Sequence, residues 1–354
     1  MEKQPSFERI IGGSDKQKKK IKERAEKASL KTGEELFGEH LVKPDAEERQ
    51  SIESAAVYAN ETAKYYGATK QFDTNRIFLL EPGGVEIVTD GMTQKGVCNS
   101  FNQSIAVERS DSNALMALVV VHEMFHMDSY HSVQVGEEKL WLVFKKTTSR
   151  PYRGGISMVG RRGEGKYFSL AEEAIIATLS RRFFDEVIAH NPLYKEEIER
   201  TKKIKEWLIA FCQTNIPEQA EKSEYISMVN DILILPRSKE VYKILYETDK
   251  EDDYKLGYFE GFFEKNLKSG NIFHERSEER EKFDKVLDRI ISESKGKITD
   301  KNQLFDQFAR AHFTGNYLPL ARIIEDALGK GAFREIAKEL GEMNDNEQHS
   351  TRVD

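Results

Sequence analysis

Asn113-Ala-Leu-Met-Ala-Leu-Val-Val-Val-His-Glu-Met-Phe-His126 is the stretch that decides how this chain is read. Every residue from Ala114 to Val121 is apolar, the pattern of a helix buried on all sides. Three valines in a row are poor helix formers, so burial must hold such a helix. His122 and His126 stand four apart and on a helix project from one face, one above the other. Two imidazoles placed in this way can bind one metal ion. Zinc suits them: it accepts histidine nitrogen and carboxylate oxygen, and a catalytic zinc keeps a fourth position for water. Glu123 follows the first histidine and would lie beside that water, where it can take a proton. The metal lowers the water's pKa towards neutrality and polarises a carbonyl.

An H-E-x-x-H arises by chance in roughly one or two of every hundred chains this long, so its surroundings must decide. The plain alternative is a pair of core histidines satisfied by hydrogen bonds. A buried His-Glu-x-x-His without a metal leaves several polar groups needing partners, which favours the metal.

Working outward, Asp111-Ser112-Asn113 supplies an N-cap, and the helix is expected to run to about Tyr130. Before it, residues 76–109 read as a small, mostly antiparallel sheet. Arg76-Ile-Phe-Leu-Leu80 is a short apolar run, and Pro82-Gly-Gly84 is turn chemistry. Val85-Glu-Ile-Val-Thr89 alternates like a strand, and Gln103-Ser-Ile-Ala-Val-Glu-Arg109 continues the pattern. Further back, Pro44 opens a helix with Ile52, Ala55, Ala56, Ala59, Ala63 and Tyr66 at helical spacing, and Gly67 suits its end. Lys16 to Lys31 is charged throughout and reads as a solvated helix, its lysines diluted by Glu23 and Glu26.

Downstream, Leu140-Trp-Leu-Val-Phe144 has strand composition, and Thr147 to Lys166 reads as a hairpin or flap bordering a cleft. Arg150, Arg153, Arg161 and Arg162 there are either a solvated loop or a grip on a substrate carboxylate. Ser169-Leu-Ala-Glu172 fits the S-x-x-E capping box of a second buried helix, running through Leu170 to Val187. From Leu193 onward the chain reads as amphipathic helix, at Tyr194–Phe211, Glu218–Leu235, Tyr254–Lys268, Glu278–Ile291, Leu304–Phe313 and Leu318–Leu340.

The 354 residues carry a net charge of −7 and a pI near 5.8, so neither nucleic acid nor a membrane is expected as a partner. Cys98 and Cys212 lie far apart and imply no disulfide framework. The opening residues have no apolar signal-peptide core, and no run reaches transmembrane length, so the expected location is the cytoplasm.

Two histidines are too few for a catalytic zinc, so a third ligand must come from elsewhere. His131 is the nearest. A metzincin pattern, however, needs its third histidine at the position of Ser132 and a glycine at Ser129. The better candidates are on the second buried helix, at Glu172 and Glu173. If Glu172 closes the capping box, Glu173 is left on the face of Ile176, Ala177 and Phe184, where a carboxylate needs a partner.

His-Glu-Met-Phe-His together with the downstream Glu173-Ala174 resembles the gluzincin group of zinc metallopeptidases, thermolysin-like in the broad sense. The likeness covers about residues 100–190 at motif level. It implies zinc held by His122, His126 and Glu173, with Glu123 as general base in peptide-bond hydrolysis. The group's usual Asp four residues after the ligand glutamate is Ala177 here, so support for a zinc histidine must come from elsewhere. Such enzymes place an edge strand just before the motif helix, where Gln103 to Arg109 stands here, and it can align an extended peptide by backbone pairing. They also place a Tyr or His donor downstream for the oxyanion. Tyr258-Phe-Glu-Gly-Phe-Phe263 resembles their Tyr-x-x-Gly-x-Phe strings and makes Tyr258 the first choice, with Tyr254, His274, His312 and Tyr317 as alternatives.

The expected molecule is therefore an α+β, zincin-like zinc metallopeptidase acting on a peptide or protein substrate. A helical N-terminal region with a charged arm (1–70) precedes the catalytic core (71–192). A helical C-terminal domain (193–343) and a flexible tail (344–354) follow. The other readings are an inactive zincin-like interaction protein, which Ala177 favours, and a metal hydrolase on a non-peptide substrate.

Overall fold

The computed structural model describes residues 7–91, 94–139, 145–160, 165–215, 219–235, 273–274 and 277–341. The expected strand at 140–144, the helix at Tyr254–Lys268 and the tail from Asn344 lie outside the described residues. The fold is mixed α+β, with small sheets in its first half and helices through most of the rest.

Strand β1 (Arg9–Ile11) leads into helix α1 (Asp15–Ser29), the Lys-rich segment. Ser14 caps it in a reciprocal box with Gln17; Ile21 and Ala25 are its buried residues and cluster with Phe7. After α2 (Gly33–Phe37) and β2 (Leu41–Val42) comes α3 (Ala46–Tyr65), capped by Asp45 and Glu48. Its buried Ala55, Ala56, Ala59 and Ala63 form a small-residue face within the main core.

Strand β3 (Ile77–Leu80), helix α4 (Gly84–Val88) and strands β4 (Gly96–Asn99) and β5 (Ser104–Glu108) follow. The four-stranded sheet has the order β2-β3-β5-β4. Its outer pairings are antiparallel, and the central β3–β5 pairing is parallel. Two expectations change here. Val85–Thr89 is mostly a helical turn, not a strand. Parallel β3 and β5 need a crossover between them, and α4 forms part of it, starting from Gly83 at φ 82°. The apparent alternation is one turn with Val85 buried and Ile87 exposed. Nor is the segment after Gln103 an edge: β5 has a neighbour on each side and is buried along its whole length, and among the described residues β2 and β4 are the edge strands.

Helix α5 (Asn113–Asp128) carries the His-Glu-x-x-His motif. Ala114 to Val121 are all buried, which is why a β-branched run holds a helix here. The helix packs against α3, β4, β5 and α6 (Ser169–Glu186). Ser112 is its N-cap. The buried Glu197 reaches the same end, accepting from the Ser112 hydroxyl, from Asn113 N at 3.0 Å and from Ala114 N at 3.3 Å. A carboxylate suits the positive end of a helix dipole.

Between α5 and α6 the chain forms β6 (His131–Lys139), β7 (Lys145–Gly154), β8 (Ser157–Val159) and β9 (Lys166–Tyr167). With β1 they make a second sheet in the order β1-β6-β7-β8-β9. Among the described residues the α-helices and strands that follow are α7 (Lys195–Asn215), α8 (Gln219–Asp231), β10 (Ile232–Ile234), β11 (Phe273–His274), α9 (Ser277–Glu293), α10 (Lys301–Thr314), α11 (Leu318–Leu328) and α12 (Ala332–Glu339). The helix expected over 218–235 therefore ends in a strand. The one expected over 318–340 is two helices, broken where Gly329 and Gly331 take φ values of 97° and 94°. One apolar cluster runs from Ile52 on α3 to Leu340 just after α12. No helix among the described residues is long and apolar enough to cross a membrane.

Glu197→Ala should lower stability by about 2 kcal/mol, because it strips a buried charged acceptor from three donors at the start of α5. Glu199→Ala removes only an exposed pair to Lys195 at 4.0 Å and should cost about 0.5 kcal/mol or less. Chemical denaturation of the two variants checks this, and equal losses would refute the role given to Glu197.

Candidate metal centre

His122 and His126 sit one turn apart on α5, with ring centroids 5.0 Å apart and planes inclined at 71°. The first turn of α6 faces them. Glu173 Oε2 is 3.9 Å from His122 Nε2, and Glu173 Oε1 is 3.5 Å from His126 Nε2. Donor atoms of the three residues all lie within 4.8 Å of one another. A tetrahedral zinc with bonds of about 2.0–2.1 Å holds its ligand atoms roughly 3.3 Å apart. Small side-chain adjustments would close the triad to that spacing, and two imidazoles with one carboxylate form a donor set that zinc takes. The electrostatics agree. Burial works to lower the pKa of His126, yet the carboxylates of Glu173, Glu172 and Glu123 lift it to about 9. Three acids around one imidazole make a place for a cation. All three triad side chains stay partly exposed, at 13% for His122, 20% for His126 and 19% for Glu173, so solvent reaches them.

Glu123 is buried beside the edge strand β4. The Cys98 thiol hydrogen-bonds to its carboxylate; burial and then Glu123 push that thiol's pKa well up, so it stays protonated. The strand comes this close because residue 96 is glycine. A Cβ there would stand 2.5 Å from Val119 Cγ1 and 2.9 Å from Glu123 Cγ. Both cysteines are free thiols, as their spacing implied.

Glu172 does not close a capping box. Helix α6 starts one residue too early for that, with Phe168 at the cap in a left-handed conformation (φ 58°) and Ser169 already inside. The end is capped by distant backbone instead: Phe168 N donates to Ala337 O at 2.9 Å and Leu170 N to Leu340 O at 2.8 Å, while the Ser169 hydroxyl donates to Gly341 O. Glu172 is thereby released, and its Oε1 lies 3.3 Å from His126 Nδ1.

His131 is not aimed at the triad. Its Nε2 donates to the His126 carbonyl at 2.8 Å, and burial lowers its pKa. The Ser129 hydroxyl donates to the same oxygen at 2.6 Å. On the next carbonyl, His312 Nε2 donates to Phe125 O at 3.3 Å. The last turn of α5 is thus closed by side chains.

Among the expected oxyanion donors, Tyr258 and Tyr254 lie outside the described residues. Tyr317 donates its hydroxyl to Ile156 O at 2.7 Å, and His312 is fully buried behind α5, so neither is offered to the open side. Arg153 is neither solvated nor available to a substrate. It is buried, gives its guanidinium to the carbonyls of Gly155, Gly315 and Ala311, and lies 3.6 Å over the Tyr317 ring. Arg150 is exposed and bonds Gln134, and Arg161 and Arg162 lie outside the described residues.

The sequence reading gave Gly96, Cys98 and Glu172 no role like the ones they have here, and it named His312 only as an alternative oxyanion donor. Each acts across a long sequence separation and carries no local motif. Compared with known proteins, the chain matches no family model, no curated protein and no solved structure.

Two predictions follow from this geometry. Gly96→Ala drives a methyl group into Val119 and Glu123, so it should cost about 1–3 kcal/mol of stability, read as a lower denaturant midpoint. An unchanged midpoint would mean that β4 lies further from α5. The second concerns His312, whose pKa burial lowers to about 3. In the unfolded chain it titrates near 6.5. As pH falls from about 6.5 towards 3 the unfolded state binds a proton that the folded state refuses, so stability is lost on acidification, by at most about 1.4 kcal/mol per pH unit for one group. Thermal melts from pH 7 to 4 should fall more steeply for wild type than for His312→Gln, and parallel curves would contradict the assignment.

Proposed function

We propose that this chain is a zinc-dependent metallopeptidase with a zincin-type core. The observation that supports this most is the convergence of His122, His126 and Glu173 from two buried helices, with Glu123 next to the first histidine. The two imidazoles and the Glu173 carboxylate would hold the ion. When bound, zinc supplies a Lewis acid that acidifies water and polarises a carbonyl.

The chain's own residues then have definite tasks. Glu123 takes the proton of the attacking water and passes it to the leaving amine. Its burial beside β4 keeps the carboxylate in one place and partly out of water. The edge strand β4 runs past Glu123, and an unpaired strand edge can align an extended peptide by backbone hydrogen bonds. This favours a peptide or protein as substrate over a small ester. The reading as an inactive interaction protein leaned on Ala177, where the family has Asp. With Glu172 beside His126, that departure loses its force.

Metal content by plasma mass spectrometry should give about one zinc per chain for wild type and for Glu123→Gln, and close to none for His122→Ala. On a peptide library, Glu123→Gln should lower kcat/KM about 10²–10⁴-fold. Full turnover by Glu123→Gln, or no metal in wild type after zinc loading, would refute the proposal.

A further inference from the structure

The adjacent acids Glu172 and Glu173 face the same histidine from two sides. Glu173 approaches the Nε2 edge of His126 at 3.5 Å, and Glu172 approaches the Nδ1 edge at 3.3 Å. An imidazole that gives Nε2 to a metal carries its remaining proton on Nδ1. A carboxylate that accepts this proton fixes the tautomer, holds the ring plane and makes the ligating nitrogen more basic. Ala177, the position where a gluzincin would place its supporting Asp, has no oxygen to offer.

The site holds Glu172 firmly. Its side chain is 12% exposed, and the Ser157 hydroxyl hydrogen-bonds to it. The turn between β7 and β8 closes over it. A Cβ at Gly155 would stand 3.2 Å from Glu172 Oε1 and 2.2 Å from His312 Nδ1, and Gly155 has φ 54°. Only glycine fits between these two side chains in that conformation. His312 Nδ1 has no hydrogen-bond partner there, so it makes no competing claim on the carboxylate. The acid is therefore free to serve His126.

We infer that Glu172 is the positioning residue of the metal centre, its carboxylate accepting from His126 Nδ1 and so presenting His126 Nε2 to the ion. The inference rests on the metal-site reading above. It adds that Glu172 is not a ligand, and that this chain draws ligand and support from consecutive residues of one helix turn.

The test is zinc affinity, measured by competition with a chromophoric chelator, together with the visible spectrum of the cobalt(II)-loaded protein. The samples are wild type, Glu172→Gln, Glu172→Ala and Glu173→Ala. Glu172→Ala should bind zinc about 10–100-fold more weakly and still reach one ion per chain with a wild-type cobalt spectrum. Glu172→Gln keeps an oxygen that can accept from Nδ1 and should recover most of that loss. Glu173→Ala should lose more affinity and alter the spectrum, because a ligand is gone. Thermal melts of the metal-free variants separate folding defects from binding defects. Wild-type zinc affinity in a folded Glu172→Ala would overturn the inference alone. A Glu172→Ala spectrum changed like that of Glu173→Ala would make Glu172 a ligand and also overturn it. A wild type that binds no zinc would overturn the metal centre itself, and this inference with it.

Discussion

The contact between the last turns of α5 and the first turn of α6 is what the rest of the structure depends on. Two imidazoles from one helix end meet two carboxylates from the start of another. Each pair suits its helix, since acids are favoured near a positive N-terminus and a cationic histidine near a negative C-terminus. Without a cation between them the carboxylates would repel each other. With His126 lifted to about 9, the imidazolium can fill that need, and a divalent ion would fill it better.

Such a contact is demanding because neither helix is held there by local chemistry. Helix α5 is a β-branched run whose stability comes from burial against α3, α6 and the sheet. Its start is pinned by Glu197, and its end by His131, Ser129 and His312. Helix α6 takes its N-terminal hydrogen bonds from the carbonyls of Ala337 and Leu340. Arg153 ties the β7–β8 turn to the end of α10 through three carbonyls and a tyrosine face. The proposed centre is local, but residues from Gly96 to Gly341 set its geometry.

The Ser169–Glu172 box shows why local rules misread this place. The pattern is real, and it would hold if Ser169 were the cap residue. Tertiary hydrogen bonds to the C-terminal segment are available, so the helix extends back by one residue and Phe168 takes the cap. Moving the register by one turns Glu172 from a capping residue into the partner of His126. The same logic applies at Val85–Thr89, where a parallel pairing elsewhere in the sheet calls for a helical turn despite strand-like alternation.

The sequence by itself determined the apolar helix, the pair of histidines on one face, the glutamate beside the first of them and the acidic turn of a second helix. These are legible because helical periodicity and residue chemistry act over four residues or fewer. Only the tertiary structure decided that Glu173 faces both Nε2 atoms, that Glu172 faces Nδ1, that β4 and not β5 lies at the edge, and that Arg153 is buried. Those outcomes depend on which distant backbone and side-chain groups meet, and local sequence carries no record of those meetings.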